Sequence, residues 1–257
     1  MSTPLVLSLF PGIGLLDMAF EAEGFCVVRG PDVLWGGDIR RFHPPAGKFD
    51  GVIGGPPCQA FSSLVRLNRA RDVEPKFGNL IPEFERCVAE AQPQWCLMEN
   101  VQEAPWLEIE AYAIRNHFLS DRRCGGATSR VRRFSFGARV DSGIGSWLQF
   151  GLRLLPANDK PELAVTGSAR KISVGGTIRR NDNGKTTKAG YSARLSVPEM
   201  ARLQGLPQGF LADAPFSETG KRKMLGNGVP IPMGRAIAKA VKEAIGFSQV
   251  ATPEKKP

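Results

Sequence analysis

Two short segments hold the residues best suited to covalent chemistry. Residues 54–63 read Gly-Gly-Pro-Pro-Cys-Gln-Ala-Phe-Ser-Ser and follow the apolar pair Val52-Ile53, the expected end of a strand. Two prolines precede Cys58, and each locks its φ near about −65°. A thiol held this way is presented rather than packed. A second apolar segment, Trp95-Cys96-Leu97-Met98, runs into Glu99-Asn100-Val101. A nucleophile and a carboxyl group at neighbouring strand ends point to covalent chemistry in an α/β cleft.

The elements that must position these groups are legible from periodicity. Leu5 to Phe10 is a continuous apolar run, as a central parallel strand requires. Gly12 and Gly14 then permit a tight turn with close ligand approach. Leu15 to Glu23 has helical spacing and stops at Gly24, and Phe25 to Val28 forms a second strand, closing a βαβ unit. A helix is expected over Pro82 to Ala91, a strand over Trp95 to Met98 and a short strand over Phe134 to Phe136. Pro198 to Leu203 starts a short helix that Gly205 stops, and Gly234 to Ile245 has an apolar helical stripe.

A chain of 257 residues, 42% hydrophobic, can bury one sizeable core. Its net charge of +9 favours a polyanionic partner such as nucleic acid. Five cysteines with no close pairs, and no leader-like N-terminus, point to free thiols in a reducing, cytoplasmic compartment. Two distant histidines, His43 and His117, do not make a zinc site. The apolar stretch from Leu5 to Phe20 is broken by Pro11, Gly12, Gly14 and Asp17, so no membrane span is expected.

Several further motifs occur in order: Phe10-Pro11-Gly12-Ile13-Gly14, Gly37-Asp38-Ile39, the Pro-Cys loop, Gly78-Asn79-Leu80 with Phe84-Glu85-Arg86, Glu99-Asn100-Val101, Arg130-Val131-Arg132, the stretch from Arg194 to Gln204-Gly205-Leu206-Pro207, and Gly226-Asn227-Gly228-Val229. Together they cover about four-fifths of the chain, which resembles the cytosine-C5 DNA methyltransferases. The resemblance implies an α/β fold. Its core is Rossmann-like, of the class I S-adenosylmethionine-dependent type, with a small, mostly irregular or β target-recognition lobe. It divides the chain into a catalytic and cofactor-binding core (1–137), the small lobe (138–221), a C-terminal segment completing the core (222–247) and a disordered tail (248–257).

The resemblance also implies roles. S-adenosylmethionine is the methyl donor, S-adenosylhomocysteine the product, and no metal is needed. Phe10 packs on the adenosine, Gly12 and Gly14 approach the methionine part, and Leu16 covers the adenine. Asp32 is the ribose acid, Asp38 with Ile39 the adenine-amino site, and Pro56, Leu80, Asn227 and Val229 line the pocket. Cys58 adds to carbon 6 of a flipped-out cytosine, which makes carbon 5 nucleophilic. Glu99 serves ring nitrogen 3, Asn100 shapes its loop, and Arg132 with Arg130 opposes charge at the carbonyl oxygen. Gln59 and Ser62 contact the adjacent phosphate, and Arg66 and Arg69 belong to a basic closing loop over 62–77.

The chain departs from the family pattern in three places. Only Val33 to Gly37 separate Asp32 from Asp38, too few for a crossover helix, so either that element is missing or the ribose acid lies elsewhere. Trp35 then either covers exposed adenine surface or packs in the core. Thr128 stands where the family commonly has Gln, and Gly228 where Ser or Ala is commoner. The span 138–193 carries nine Lys/Arg against four Asp/Glu, a basic lobe short enough to imply a brief or relaxed recognition sequence. Arg194, Glu199, Gln204 and Gly205 brace it. The implied partner is double-stranded DNA bound by a monomer, in a restriction-modification setting. Three alternatives stay open: a tRNA cytosine-C5 methyltransferase, although the Cys-Phe-Thr motif of that branch is absent; a catalytically silent nucleic-acid binder; and use of a modified donor.

Overall fold

The computed structural model describes residues 3–57, 78–152, 170–172, 178–180, 186–188 and 192–247. Its centre is a six-stranded sheet in the order β2-β1-β3-β4-β6-β5. The strands are β1 (Leu5–Leu9), β2 (Cys26–Arg29), β3 (Gly51–Gly54), β4 (Trp95–Asn100), β5 (Tyr112–Ser120) and β6 (Val131–Arg139). The first four are parallel neighbours, and β6 and β5 add an antiparallel edge.

Alternation along the strands divides the core in two. Val6, Ile53, Trp95 and Leu97 face one side, where α1 (Leu15–Ala22) and the C-terminal helix Ile231–Phe247 bury Phe20, Met233, Ile237 and Val241. Leu7, Leu9, Val52, Cys96 and Met98 face the other, covered by α2 (Ile81–Ala91) through Ile81, Phe84, Val88 and Ala91. Both faces of β1, β3 and β4 are covered, which explains their long apolar runs, whereas β2 at the sheet edge is largely exposed.

The crossover from β2 to β3 has no α-helix. Two 3-10 turns, Val33–Trp35 and Ile39–Arg41, replace it, so the short spacing after Asp32 reflects a missing element. Arg86 of α2 anchors the shortcut: Nη2 donates to the carbonyls of Ile39 (2.8 Å) and Phe42 (3.0 Å).

Three elements exceed the sequence expectations. β6 is nine residues long rather than a short strand, and β5 was not foreseen. A helix over Glu218–Asn227 precedes the Asn-Gly-Val motif; numbering in chain order, α3 is Val197–Leu203, α4 is Glu218–Asn227 and α5 is Ile231–Phe247. In the basic span, β7 (Arg170–Ile172) pairs antiparallel with β10 (Ser192–Arg194), and β8 (Ile178–Arg180) with β9 (Thr186–Lys188).

Candidate functional site

The carboxyl ends of β1, β3 and β4 open into a cavity of about 500 Å³. Open α/β sheets place their ligands at this edge. The turn after β1 forms one wall. Phe10 adopts φ 56°, a left-handed conformation that a bulky residue takes only when its surroundings enforce it. Gly14 (φ 78°) caps α1, and its amide donates to the Pro11 carbonyl at 2.8 Å. The Gly12 amide donates to Asp32 Oδ2 at 2.9 Å, and Leu34 N donates to Oδ1 at 2.7 Å. Asp32 thus ties the glycine turn to the end of β2 while keeping one lone pair on each oxygen toward the cavity it lines.

The opposite wall carries charge. Glu99 closes β4 and is 8% exposed. Its Oε1 lies 2.9 Å from Arg132 Nε, close enough for an ion pair, yet it receives no well-aligned hydrogen bond. That oxygen is enclosed beside the guanidinium rather than open to the cavity. Arg132 completes a complementary edge, one acceptor beside one fork of donors, suited to a flat polar ring. Asn100, also buried, donates from Nδ2 to the Pro56 carbonyl at 3.2 Å and accepts from Val101 N at 2.9 Å. It fastens the start of the Pro-Cys loop to the Glu-Asn-Val turn. Gly55 lies against Glu99: a Cβ there would stand 3.2 Å from Oε2.

Of the residues singled out from sequence, Phe10, Gly12, Leu16, Asp32, Pro56, Glu99, Arg130, Arg132, Asn227 and Val229 line this one cavity. Cys58, Gln59, Ser62, Arg66 and Arg69 lie outside the described residues. Pro57, immediately before Cys58, is in the cavity wall.

Four residues named for the pocket do not line it. Asp38 caps the second 3-10 turn and pairs with Arg40 Nε at 3.0 Å, which holds its carboxyl below the usual range. Ile39 is buried in the core beneath α2. Both are drawn away because the shortened crossover turns toward Arg86. Leu80 is the N-cap residue of α2 and packs on the same core. Gly14 is turned toward Arg29, whose Nη2 would be 2.8 Å from an added Cβ. Trp35 does not pack in the core: it is exposed, donates from Nε1 to the Gly12 carbonyl at 2.9 Å, and meets Phe216 edge-on at 6.0 Å.

Arg130 serves a different partner from the one expected. Its Nη1 donates to the Gly226 carbonyl at 3.0 Å and its Nη2 approaches that of Asn227 at 3.4 Å, so it clamps the end of α4 against the start of β6. Thr128 supports it from behind. The Thr128 amide (2.9 Å) and hydroxyl (2.7 Å) both donate to Asp121 Oδ2, deep in the protein. Burial raises the Asp121 carboxyl above its ordinary range against these bonds. Gln204 anchors the same turn through Nε2, donating to the Leu225 carbonyl and, at 3.2 Å, to that of Gly228. Gln204 therefore braces the cavity wall. Glu199 forms a capping box with Ser196, and Gly205 (φ 78°) ends α3.

Among the wall residues that sequence reading did not name are Asp17, Lys223 and Met224. Asp17 lines the cavity fully buried, accepting from Ser8 Oγ (2.5 Å) and Arg29 Nε (3.0 Å). Burial raises its carboxyl despite both partners. Its position at the third residue of a helix after a glycine turn was the available signal. Lys223 and Met224 line the cavity from α4, whose polar composition concealed it. Among the described cysteines, burial pushes Cys87 to about 11 and Cys96 and Cys124 to about 12, which leaves them protonated and unreactive.

A family model for C-5 cytosine-specific DNA methylases matches residues 35–105 and 156–243. The type II methyltransferase M.FnuDI of Fusobacterium nucleatum is 27% identical, over 93% of this chain and 94% of its own length. M.HindV of Haemophilus influenzae is 24% identical over 91% and 95%. A DNA modification methyltransferase encoded within an E. coli prophage superposes with a TM-score of 0.62 at 17% identity, covering 95% of this chain and all of that one. A mutant Spodoptera frugiperda DNMT2 gives 0.63 at 14%, over 93% and all of it.

Proposed function

Because the chain belongs to the C-5 cytosine-specific DNA methylase family, and so methylates carbon 5 of cytosine in DNA, we propose how its cavity divides that work. One end takes S-adenosylmethionine and the other a cytosine flipped from duplex DNA, with Cys58 between them as nucleophile. One observation carries this reading. The glycine turn, the entry to the Pro-Cys loop and the Glu99–Arg132 pair line a single cavity of a volume ordinary for ligand sites.

The wall residues fit the donor. Leu9, Phe10, Ile13, Leu16 and Val229 supply apolar surface for an adenosine, and Asp32 retains an acceptor lone pair on each oxygen for a diol. When bound, the donor supplies an electrophilic methyl group on a sulfonium. Residues of this chain do the rest. The Cys58 thiolate adds to carbon 6 of the base, and Glu99 protonates or hydrogen-bonds ring nitrogen 3 as charge arrives there. Arg132 stabilises the ring carbonyl oxygen. After carbon 5 takes the methyl, loss of its proton and expulsion of the thiolate restore the ring and free the enzyme. Arg130 and Gln204 keep the Asn227–Val229 wall closed over the donor rather than touching the base.

Gln59, Ser62, Arg66 and Arg69 are proposed to meet the DNA backbone, and the basic span between 138 and 193 to read a short recognition sequence as part of a separate lobe. The chain is proposed to act as a monomer. Among the described residues no helix is long and apolar enough to cross a membrane, and no cluster could hold a metal. The test is covalent capture. A duplex carrying 5-fluorocytosine within the recognition sequence, found first by bisulfite sequencing of co-expressed DNA, should form a denaturation-resistant complex with the chain and donor. Cys58→Ala should abolish both complex and methylation. Trapping that survives the substitution would remove Cys58 from the mechanism.

A further inference from the structure

Where β3 ends beside β4, a glycine faces an acid. Gly55 and Glu99 both line the cavity from these neighbouring strand ends. A Cβ on Gly55 would stand 3.2 Å from Glu99 Oε2 and 3.9 Å from the Glu99 carbonyl oxygen. Apart from its chain neighbours, no other described residue comes within 4 Å of that point. Gly55 does not adopt a left-handed φ, so an alanine there carries no strain of that kind. What the bare Cα provides is room for one carboxyl group.

Neither flank of this contact yields easily. Gly54 is paired in the sheet with Leu9 and Met98, and Asn100 Nδ2 holds the Pro56 carbonyl at 3.2 Å. The main chain is therefore fastened on both sides of Gly55. Across the contact, Glu99 Oε1 is enclosed beside Arg132, whose Nε lies 2.9 Å away. This leaves Oε2, the oxygen over Gly55, as the one to serve a ligand. A methyl group on residue 55 would displace that oxygen rather than the strand.

We infer that Gly55 is a positioning residue for methyl transfer: its missing side chain sets where Glu99 Oε2 stands against the flipped cytosine. This rests on the reading of Glu99 as the group that serves ring nitrogen 3. The experiment measures single-turnover methylation of a duplex bearing the recognition sequence, donor and duplex affinities, and urea unfolding. The chains compared are wild type, Gly55→Ala, Glu99→Asp and the double variant. Glu99→Asp withdraws the carboxyl by one methylene and vacates the space over residue 55. Gly55→Ala should slow methyl transfer about tenfold to a hundredfold, the scale of a small misplacement of a reacting group, with both affinities unchanged. In the Glu99→Asp chain, itself slowed, the same substitution should cost no more than about twofold further. Equal losses in the two backgrounds overturn the inference and make Gly55 a constraint on the Pro-Cys loop. An undiminished rate in Gly55→Ala, or a loss that appears as weaker donor binding, overturns it as well. If Gly55→Ala does not fold, the double variant decides. A folded double variant supports the contact with Glu99, and an unfolded one shows that Gly55 serves the backbone instead. If Glu99→Asp methylates at the wild-type rate, the reading of Glu99 itself fails, and this inference with it.

Discussion

The parallel and antiparallel halves of the sheet build their sides of the cavity from different materials. In the parallel half, β1 and β3 hand the cavity turns of main chain: the Phe10–Gly14 turn and the Gly54–Pro57 entry. The fixed points there are amides, carbonyls and two acids, half-buried Asp32 and buried Asp17. In the antiparallel half, β6 and the loops beside it contribute buried charges. Arg130 and Arg132 line the cavity, Arg132 paired with Glu99 where β4 meets β6, and Arg133 and Asp121 stand behind them, each held by named partners. Backbone turns tolerate side-chain change. Buried charges do not, because removing one partner leaves the other desolvated and unpaired. Binding of the donor should therefore degrade gradually under substitution and the chemistry abruptly.

The sharpest test compares Glu99→Gln with Asp32→Asn. The first keeps size but loses the proton-handling carboxyl, and should lower kcat by about 10²–10⁴ with little effect on donor affinity. The second keeps one acceptor toward the cavity, and should raise the donor KM while sparing kcat. Equal kcat losses in single-turnover methylation would erase the proposed division. Next in size is Arg133, fully buried opposite Arg132 on β6. It donates to the carbonyls of Gln102 (3.3 Å), Ala104 (2.7 Å) and Pro105 (2.5 Å), and stacks on Trp106 at 4.8 Å. It thereby fixes the loop following Glu99. Arg133→Met should cost about 3 kcal/mol, the loss of charge-assisted bonds to buried acceptors. Urea unfolding would read it, and a cost under half that would mean water replaces the guanidinium.

The same division explains what was legible. β1, β3 and β4 are covered on both faces, so their sequences are mostly apolar and announce themselves. β5 is an edge strand whose residues alternate between cover and solvent, with Arg115, Asn116 and His117 in its middle, and it carries no such signature. α4 packs only a few residues inward and reads as a polar loop. The positions of Glu99, Arg132 and Asn227 followed from family motifs. The supporting contacts did not: Arg133 reaches the carbonyls of Gln102, Ala104 and Pro105, and Arg130 those of Gly226 and Asn227, on elements distant in sequence. Asp38 and Ile39 lie outside the cavity lining for a related reason. A motif keeps its letters when the crossover that should carry it to the cavity is lost.

Gly228 offers a smaller and more local test. A Cβ there would stand 2.3 Å from Leu15 Cδ1, so Leu15 occupies the space that a Ser or Ala at 228 would need. Gly228→Ser alone should destabilise by roughly 1–3 kcal/mol through overpacking. Leu15→Ala alone opens a cavity. Combined, the two should cost clearly less than their sum, because each relieves the other's fault. Additive costs in denaturant unfolding would show that the wall relaxes without Leu15.

The smallest effect belongs to Asp17, the one buried acid on the parallel side of the cavity. Burial keeps its carboxyl above the ordinary value of 3.8, although Ser8, Arg29 and the helix N-terminus favour the ionised form. The folded chain thus holds this proton to higher pH than the unfolded chain does. Between 3.8 and the raised folded value, the folded state binds more protons, so stability falls as pH rises through that window. Asp17→Asn removes the titration and keeps an acceptor for the Ser8 hydroxyl. The melting temperature of the variant relative to wild type should therefore climb as pH rises from just above 3.8, then level off above the folded value. A difference that stays flat across the window would mean that Arg29, on the half-exposed side of the pair, holds Asp17 ionised throughout. In that case the parallel half would depend on a buried charge as the antiparallel half does.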